Sequence, residues 1–150
     1  MKIKIHHFFD IIRDIGSGKN LGPHPYRHSY HKVAETIWQN PDTEVEIVIH
    51  SDEVCKNCIH LVGTSCNDII THRIDFTLKE KFNKYLDFRI IEICGIDVSK
   101  KYTFRSLLQF SDKYVENIEF IYAGNDARHT AKRKENVQNG VKAYTSKIKI

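Results

Sequence analysis

No stretch of the sequence approaches the roughly 18 consecutive apolar residues that cross a bilayer. The opening residues, Met1-Lys-Ile-Lys-Ile-His-His, contain no apolar run of signal-peptide length. The expectation is a cytoplasmic protein without membrane contact. Internal repeats and low-complexity segments are absent, so no repeat architecture is expected. Charge of one sign is not in large excess: the net charge is +4 and the pI about 8.8, too little to imply nucleic acid by itself. Gly16-Ser-Gly-Lys contains a Gly-Lys pair but lacks the spacing of a phosphate loop. Cysteine is sparse, at four in 150 residues. In a reducing compartment a close cysteine pair points to metal or redox chemistry and not to a structural disulfide.

What is present fits an ordinary globular chain, with 41% hydrophobic and 28% charged residues. A single domain over residues 1–150 is expected, long enough to bury a core without metal as its sole support. Lys2 to Ile5 alternates as a short strand does, and Phe8, Phe9, Ile11, Ile12 and Ile15 then recur at helical spacing. Pro25 suits the first turn of a helix whose inner face is Tyr26, Tyr30, Val33 and Ile37. Glu44 to His50 reads as a half-buried strand. Asn67 or Asp68 is placed to cap one helix and Thr77 a second, running from Leu78 to about Cys94 and stopped by Gly95. Thr103 caps a further helix, Tyr114 to Tyr122 reads as helical, and Gly124-Asn-Asp opens a last, charged helix. The predicted fold is mainly α with a small β element (α+β), one compact domain of five to six helices.

Three of the four cysteines fall within a polar segment: Cys55-Lys-Asn-Cys58, then His60, then Cys66. This Cys-x2-Cys-x-His-x5-Cys knuckle predicts a metal site. Two thiolates two residues apart can aim at one point, and Gly63 lets the loop return. Cys55, Cys58, Cys66 and His60 would satisfy tetrahedral zinc, and the thiolates would equally suit an iron–sulfur cluster. Cys94, His50, His6 and His7 are other sources of a fourth ligand. A Cys55–Cys58 redox pair lacks the strand-then-helix setting of thioredoxin. Cys94, among Ile90, Ile91, Ile93 and Ile96, reads as core.

Nine histidines is a high number for this length. In His6-His7-Phe-Phe-Asp10 a helix would bring the carboxylate three and four residues from the two imidazoles, onto one face. His28, His31 and Glu35 would form a stripe beside the apolar face of the second helix, with His24 just before it. His6, His7, Asp10, His28 and His31 are therefore candidates for a second metal site or a catalytic site. His50 and His72 carry no such pattern, and Asp126 is read as the cap of the last helix ahead of His129. The basic run Arg128 to Lys149 holds seven cations against Glu135 alone. It reads first as a solvated helix and second as a phosphate contact.

Ile5-His6-His7, the strand Pro41-Asp-Thr-Glu-Val-Glu-Ile-Val, the segment Val54-Cys55 to Leu61 ending at Cys66, and Gly95-Ile-Asp-Val-Ser-Lys-Lys-Tyr-Thr-Phe-Arg-Ser-Leu-Leu resemble the domain of unknown function family 1284. It is a bacterial and archaeal family suspected of binding an iron–sulfur cluster. The likeness covers roughly the first 110 residues. Members often carry a cysteine where this chain has Asp10, and further cysteines near the C-terminus, where this chain has none after Cys94. The resemblance therefore implies metal binding, and Asp10 as a harder donor would move preference toward zinc, iron(II) or manganese.

Three functions follow as expectations. The first is a zinc or iron–sulfur domain built on the knuckle. The second is a metal-dependent enzyme with a histidine-rich N-terminal site. The third is a nucleic-acid-binding module, weakly supported because no aromatics interleave the basic run before Tyr144.

Overall fold

A computed structural model describes residues 1–149. As the sequence predicts, the chain is a mainly helical α+β domain. Among the described residues four helices have ten residues or more. These are α1 (Ile5–Ser17), α2 (Tyr30–Gln39), α3 (Lys79–Cys94) and α7 (Ala127–Ile148). The short helices α4 (Phe104–Leu107), α5 (Ser111–Glu116) and α6 (Ile118–Ile121) connect α3 to α7. A three-stranded sheet orders as β1–β2–β5, from Lys2–Ile3, Glu44–Ile47 and Lys101–Thr103. β1 runs parallel to β2, and β5 antiparallel to it. Leu61–Val62 (β3) and Ser65–Cys66 (β4) form a separate hairpin.

The core gathers around α1. Ile5, Phe8, Phe9, Ile11 and Ile12 are wholly buried, as their spacing requires. Phe9 stacks on Tyr114 with ring centroids 3.9 Å apart. Gly18 ends the helix with φ 70°, a conformation that costs glycine little. Helix α7 lies along α1 at very close range. A Cβ at Gly16 would collide with the carbonyl oxygen of Asn136, and one at Gly140 with that of Ile12. Tyr144 donates to the Ile37 carbonyl at 2.7 Å and ties α7 to α2.

Several local expectations are corrected. Helix α2 begins at Tyr30, so Pro25 and residues 24–28 are loop. Residues 68–78 form no helix; Ile69 and Leu78 make an isolated bridge, and α3 is capped at Leu78, not Thr77. Thr103 does cap α4, in a reciprocal box with Ser106, and Asp126 caps α7 by accepting from the Arg128 and His129 amides. Helix α7 is not merely solvated: Thr130, Arg133, Val137, Gly140 and Tyr144 are buried along it. No helix is long and apolar enough to cross a membrane, among the described residues.

Candidate histidine cleft

The first turn of α1 opens on a cleft of about 790 Å³. Six of the chain's nine histidines line it: His6, His7, His24, His28, His72 and His129. The amides at a helix N-terminus need partners from outside the helix, and no side chain of the N-cap residue Lys4 supplies one. Two distant carboxylates do. Asp87 of α3 accepts from the His6 amide at 3.0 Å and from His6 Nδ1 at 2.8 Å. Asp52 accepts from the Lys4 amide at 2.7 Å and from His7 Nδ1 at 2.8 Å. Each carboxylate thus fixes backbone and ring together, and both are buried.

This geometry sets the chemistry of the rings. An Nδ1 facing a carboxylate carries the proton, which leaves Nε2 as the nitrogen available to the cleft. The two ring centroids are 4.2 Å apart. Burial disfavours the charged form of His6, but the adjoining Asp87 charge and hydrogen bond outweigh it, so its pKa lies above the ordinary value. Burial likewise opposes the charge of Asp52, and His7 with the Lys4 amide more than offsets that, holding the carboxyl well below its usual range.

Asp10 also lines the cleft, but its hydrogen bonds go to other partners. Its Oδ1 accepts from Arg133 Nη1 of α7 at 2.6 Å and from Arg13 at 3.4 Å. Burial would raise its pKa, yet the two guanidinium groups keep it ionised far below the normal range. Asp14, one turn on, accepts from Arg13 and from the Tyr30 hydroxyl at 2.6 Å.

The loop before α2 forms another wall of the cleft. There the imidazoles are oriented the other way. His24 Nδ1 accepts from the Tyr26 amide at 3.1 Å, and His28 Nδ1 from the Tyr30 amide at 3.4 Å. Each ring must then carry its proton on Nε2 when neutral. The two rings stack, with centroids 4.4 Å apart. With the rings neutral, Nε2 is therefore unprotonated in His6 and His7 and protonated in His24 and His28.

The cysteine segment braces this wall. Ser29 bonds the Val54 and Lys56 carbonyls. The Ile59 amide donates to Tyr26, and the His60 ring lies edge-on to Tyr26 at 4.3 Å. The knuckle side chains themselves are turned to local tasks. Cys55 donates to Asp52 at 3.3 Å and lies 3.9 Å from the buried Lys4 ammonium. Burial and the Asp52 charge push its thiol up to about 11. Cys66 Sγ accepts from the Asp68 amide at 3.4 Å, and His60 Nδ1 bonds Asn67 at 2.9 Å. Among the described residues no three His, Cys, Asp or Glu side chains form a group that could hold a metal ion. As placed, Cys55, Cys58, Cys66 and His60 do not fit a zinc ion or a cluster. Cys94 is buried, as expected.

Of the histidine-site candidates, His6, His7, Asp10 and His28 meet in the cleft, and His31 does not line it. His31 Nδ1 is buried without a hydrogen-bond partner. Sequence reasoning missed Asp52, Asp87, Arg13, Arg133, His72 and Lys79. Asp87 alone carried a local signal: it sits between Leu86 and Ile90, on the inner side of α3, where a carboxylate calls for a partner.

The family described as "Protein of unknown function (DUF1284)" matches residues 24–123. That span takes in the His24–His28 loop, Asp52, the cysteine segment and Asp87, and leaves out α1 and α7. No curated protein and no solved structure matches the chain.

Proposed function

The chain belongs to this family of proteins of unknown function, which offers no activity to carry over, and from the cleft itself we propose an enzyme that performs acid–base chemistry on a small polar molecule, with His6 and His7 as the proton-transferring pair. One observation carries the reading. Two neighbouring imidazoles are each held through Nδ1 by a buried carboxylate at 2.8 Å, with the second nitrogen left to a cleft of small-molecule size. A carboxylate behind an imidazole fixes its tautomer and stabilises the imidazolium that forms on proton uptake. His6, favoured in its charged form by Asp87, is suited to give a proton. His7, through Nε2, is suited to take one. Positioned acid–base groups contribute about 10²–10⁴-fold to a rate.

Arg133 and Arg13 hold Asp10 and Asp14 as fixed charges beside the pair. The donor arrangement at the cysteine segment offers no comparable support for zinc or a cluster. The test is turnover of a panel of small phosphoesters, carboxylic esters and enolisable acids by wild type, His6→Asn and His7→Asn. The reading expects turnover of at least one panel member to fall by about 10²-fold or more in each variant. Equal turnover in all three proteins would contradict it.

A further inference from the structure

We infer that the loop wall of the cleft is a phosphoryl subsite, in which His24, His28 and Lys79 hold the phosphate of the molecule on which the cleft acts. This rests on the acid–base reading for the direction in which the substrate lies, but its own evidence is separate. Both His24 and His28 spend Nδ1 accepting backbone amides, so each presents an N–H donor from Nε2. Their near-parallel stacking, 20° between planes and 4.4 Å between centroids, holds the two rings together. Lys79, at the start of α3, lines the same cleft. Its ammonium has one carboxylate partner, Asp68, at 3.4 Å, and remains half exposed.

The neighbouring side-chain charges felt at His28 are those of His24, Lys79 and His7, all cationic when protonated. The carboxylates Asp10 and Asp14 belong to the α1 side and are neutralised there by arginine. An oxyanion is therefore drawn to the loop wall. Its class follows from the shape of the donor set. A planar carboxylate is best matched by the fork of an arginine, whereas a tetrahedral phosphoryl group has three oxygens for separate donors, and lysine serves it as a point charge. Both arginines of the cleft are already committed to Asp10 and Asp14. Two separate imidazole N–H groups and one ammonium remain. The substrate class is thus a small phosphorylated molecule, anchored by its phosphate at the loop wall with its reacting group toward His6 and His7.

The probe is inorganic phosphate, titrated into the full chain and followed by the His Cε1–H resonances and by calorimetry, with acetate as the competing anion. Saturable phosphate binding is expected, shifting the His24 and His28 resonances first. His28→Gln and Lys79→Met should each weaken it about tenfold, roughly 1.4 kcal/mol. Lys79 is exposed enough that its replacement tests the site without endangering the fold. His6→Asn should leave phosphate affinity within about twofold, or roughly 0.4 kcal/mol, so the subsite and the acid–base pair can fail independently. Acetate binding as tightly as phosphate, phosphate affinity unchanged in Lys79→Met and His28→Gln, or no saturable phosphate binding would each overturn the assignment.

Discussion

The pair α1 and α7 and the segment from Lys56 to Leu78 are built on opposite principles. Helices α1 and α7 meet through Gly16 and Gly140, so closely that neither tolerates a Cβ. The segment from Lys56 to Leu78 leaves Ile59, Val62, Ile69 and Ile74 exposed, is ordered by a hairpin of two-residue strands and one isolated bridge, and has space beside Gly63. Cys58 and Cys66 lie in the looser region, and His6 and His7 on the tighter one. Precise side-chain chemistry needs a rigid support, and α1 provides it. The cysteine segment contributes to the cleft through its backbone, by holding the His24–His28 loop.

The contrast can be broken most severely at Gly140. Gly140→Val should wedge α7 off α1 and cost on the order of 5 kcal/mol, or prevent folding. Gly63→Ala, in open space at φ 63°, should cost only about 1–2 kcal/mol. Denaturant midpoints of the two variants compare the regions directly.

A smaller loss is expected at the carboxylate behind His6. Asp87→Asn should cost about 1.5–3 kcal/mol in acid to neutral solution, the range for hydrogen bonds to charged groups. The sign of its pH dependence follows from His6. Its folded pKa is raised, so the stabilisation is full below the unfolded value of about 6.5 and fades as pH rises through the folded pKa. The stability gap between wild type and Asp87→Asn should therefore be widest near pH 5–6 and narrow in alkaline solution. A gap that widens as pH rises would contradict the pairing.

The smallest effect belongs to the exposed segment. Val62→Thr, at a side chain left largely in solvent, should change stability by less than about 0.5 kcal/mol. A loss of several kcal/mol would mean that Val62 is packed within the fold and would contradict the contrast between the two regions.

The legibility of the sequence followed the same divide. Helix α1 was readable because its inner face is uninterruptedly apolar, and Thr103 and Asp126 announced their helices by capping chemistry. Helix α7 was expected, but its burial was not, because its buried face consists of Thr130, Arg133, Val137, Gly140 and Tyr144, which carry no hydropathy stripe. The paired histidines were visible, but their partners were not. Asp10, three and four residues away, was the local expectation. Asp87 and Asp52 stand 81 and 45 residues away, while Asp10 turns to Arg133. Such pairings arise from packing and leave no spacing to read. The expected stripe of His28, His31 and Glu35 needed a helix that began at Pro25. With α2 starting at Tyr30, His28 falls in the loop and reaches the cleft without His31.

The most direct measurement is the tautomer of four imidazoles, from two-bond 15N–1H correlation spectra recorded above the titration range of the histidines. The account predicts the proton on Nδ1 in His6 and His7 and on Nε2 in His24 and His28. It also predicts that Asp87→Asn disturbs His6 and leaves His24 unchanged. An Nε2–H tautomer in both His6 and His7 would leave no lone pair facing the cleft and would contradict the acid–base assignment.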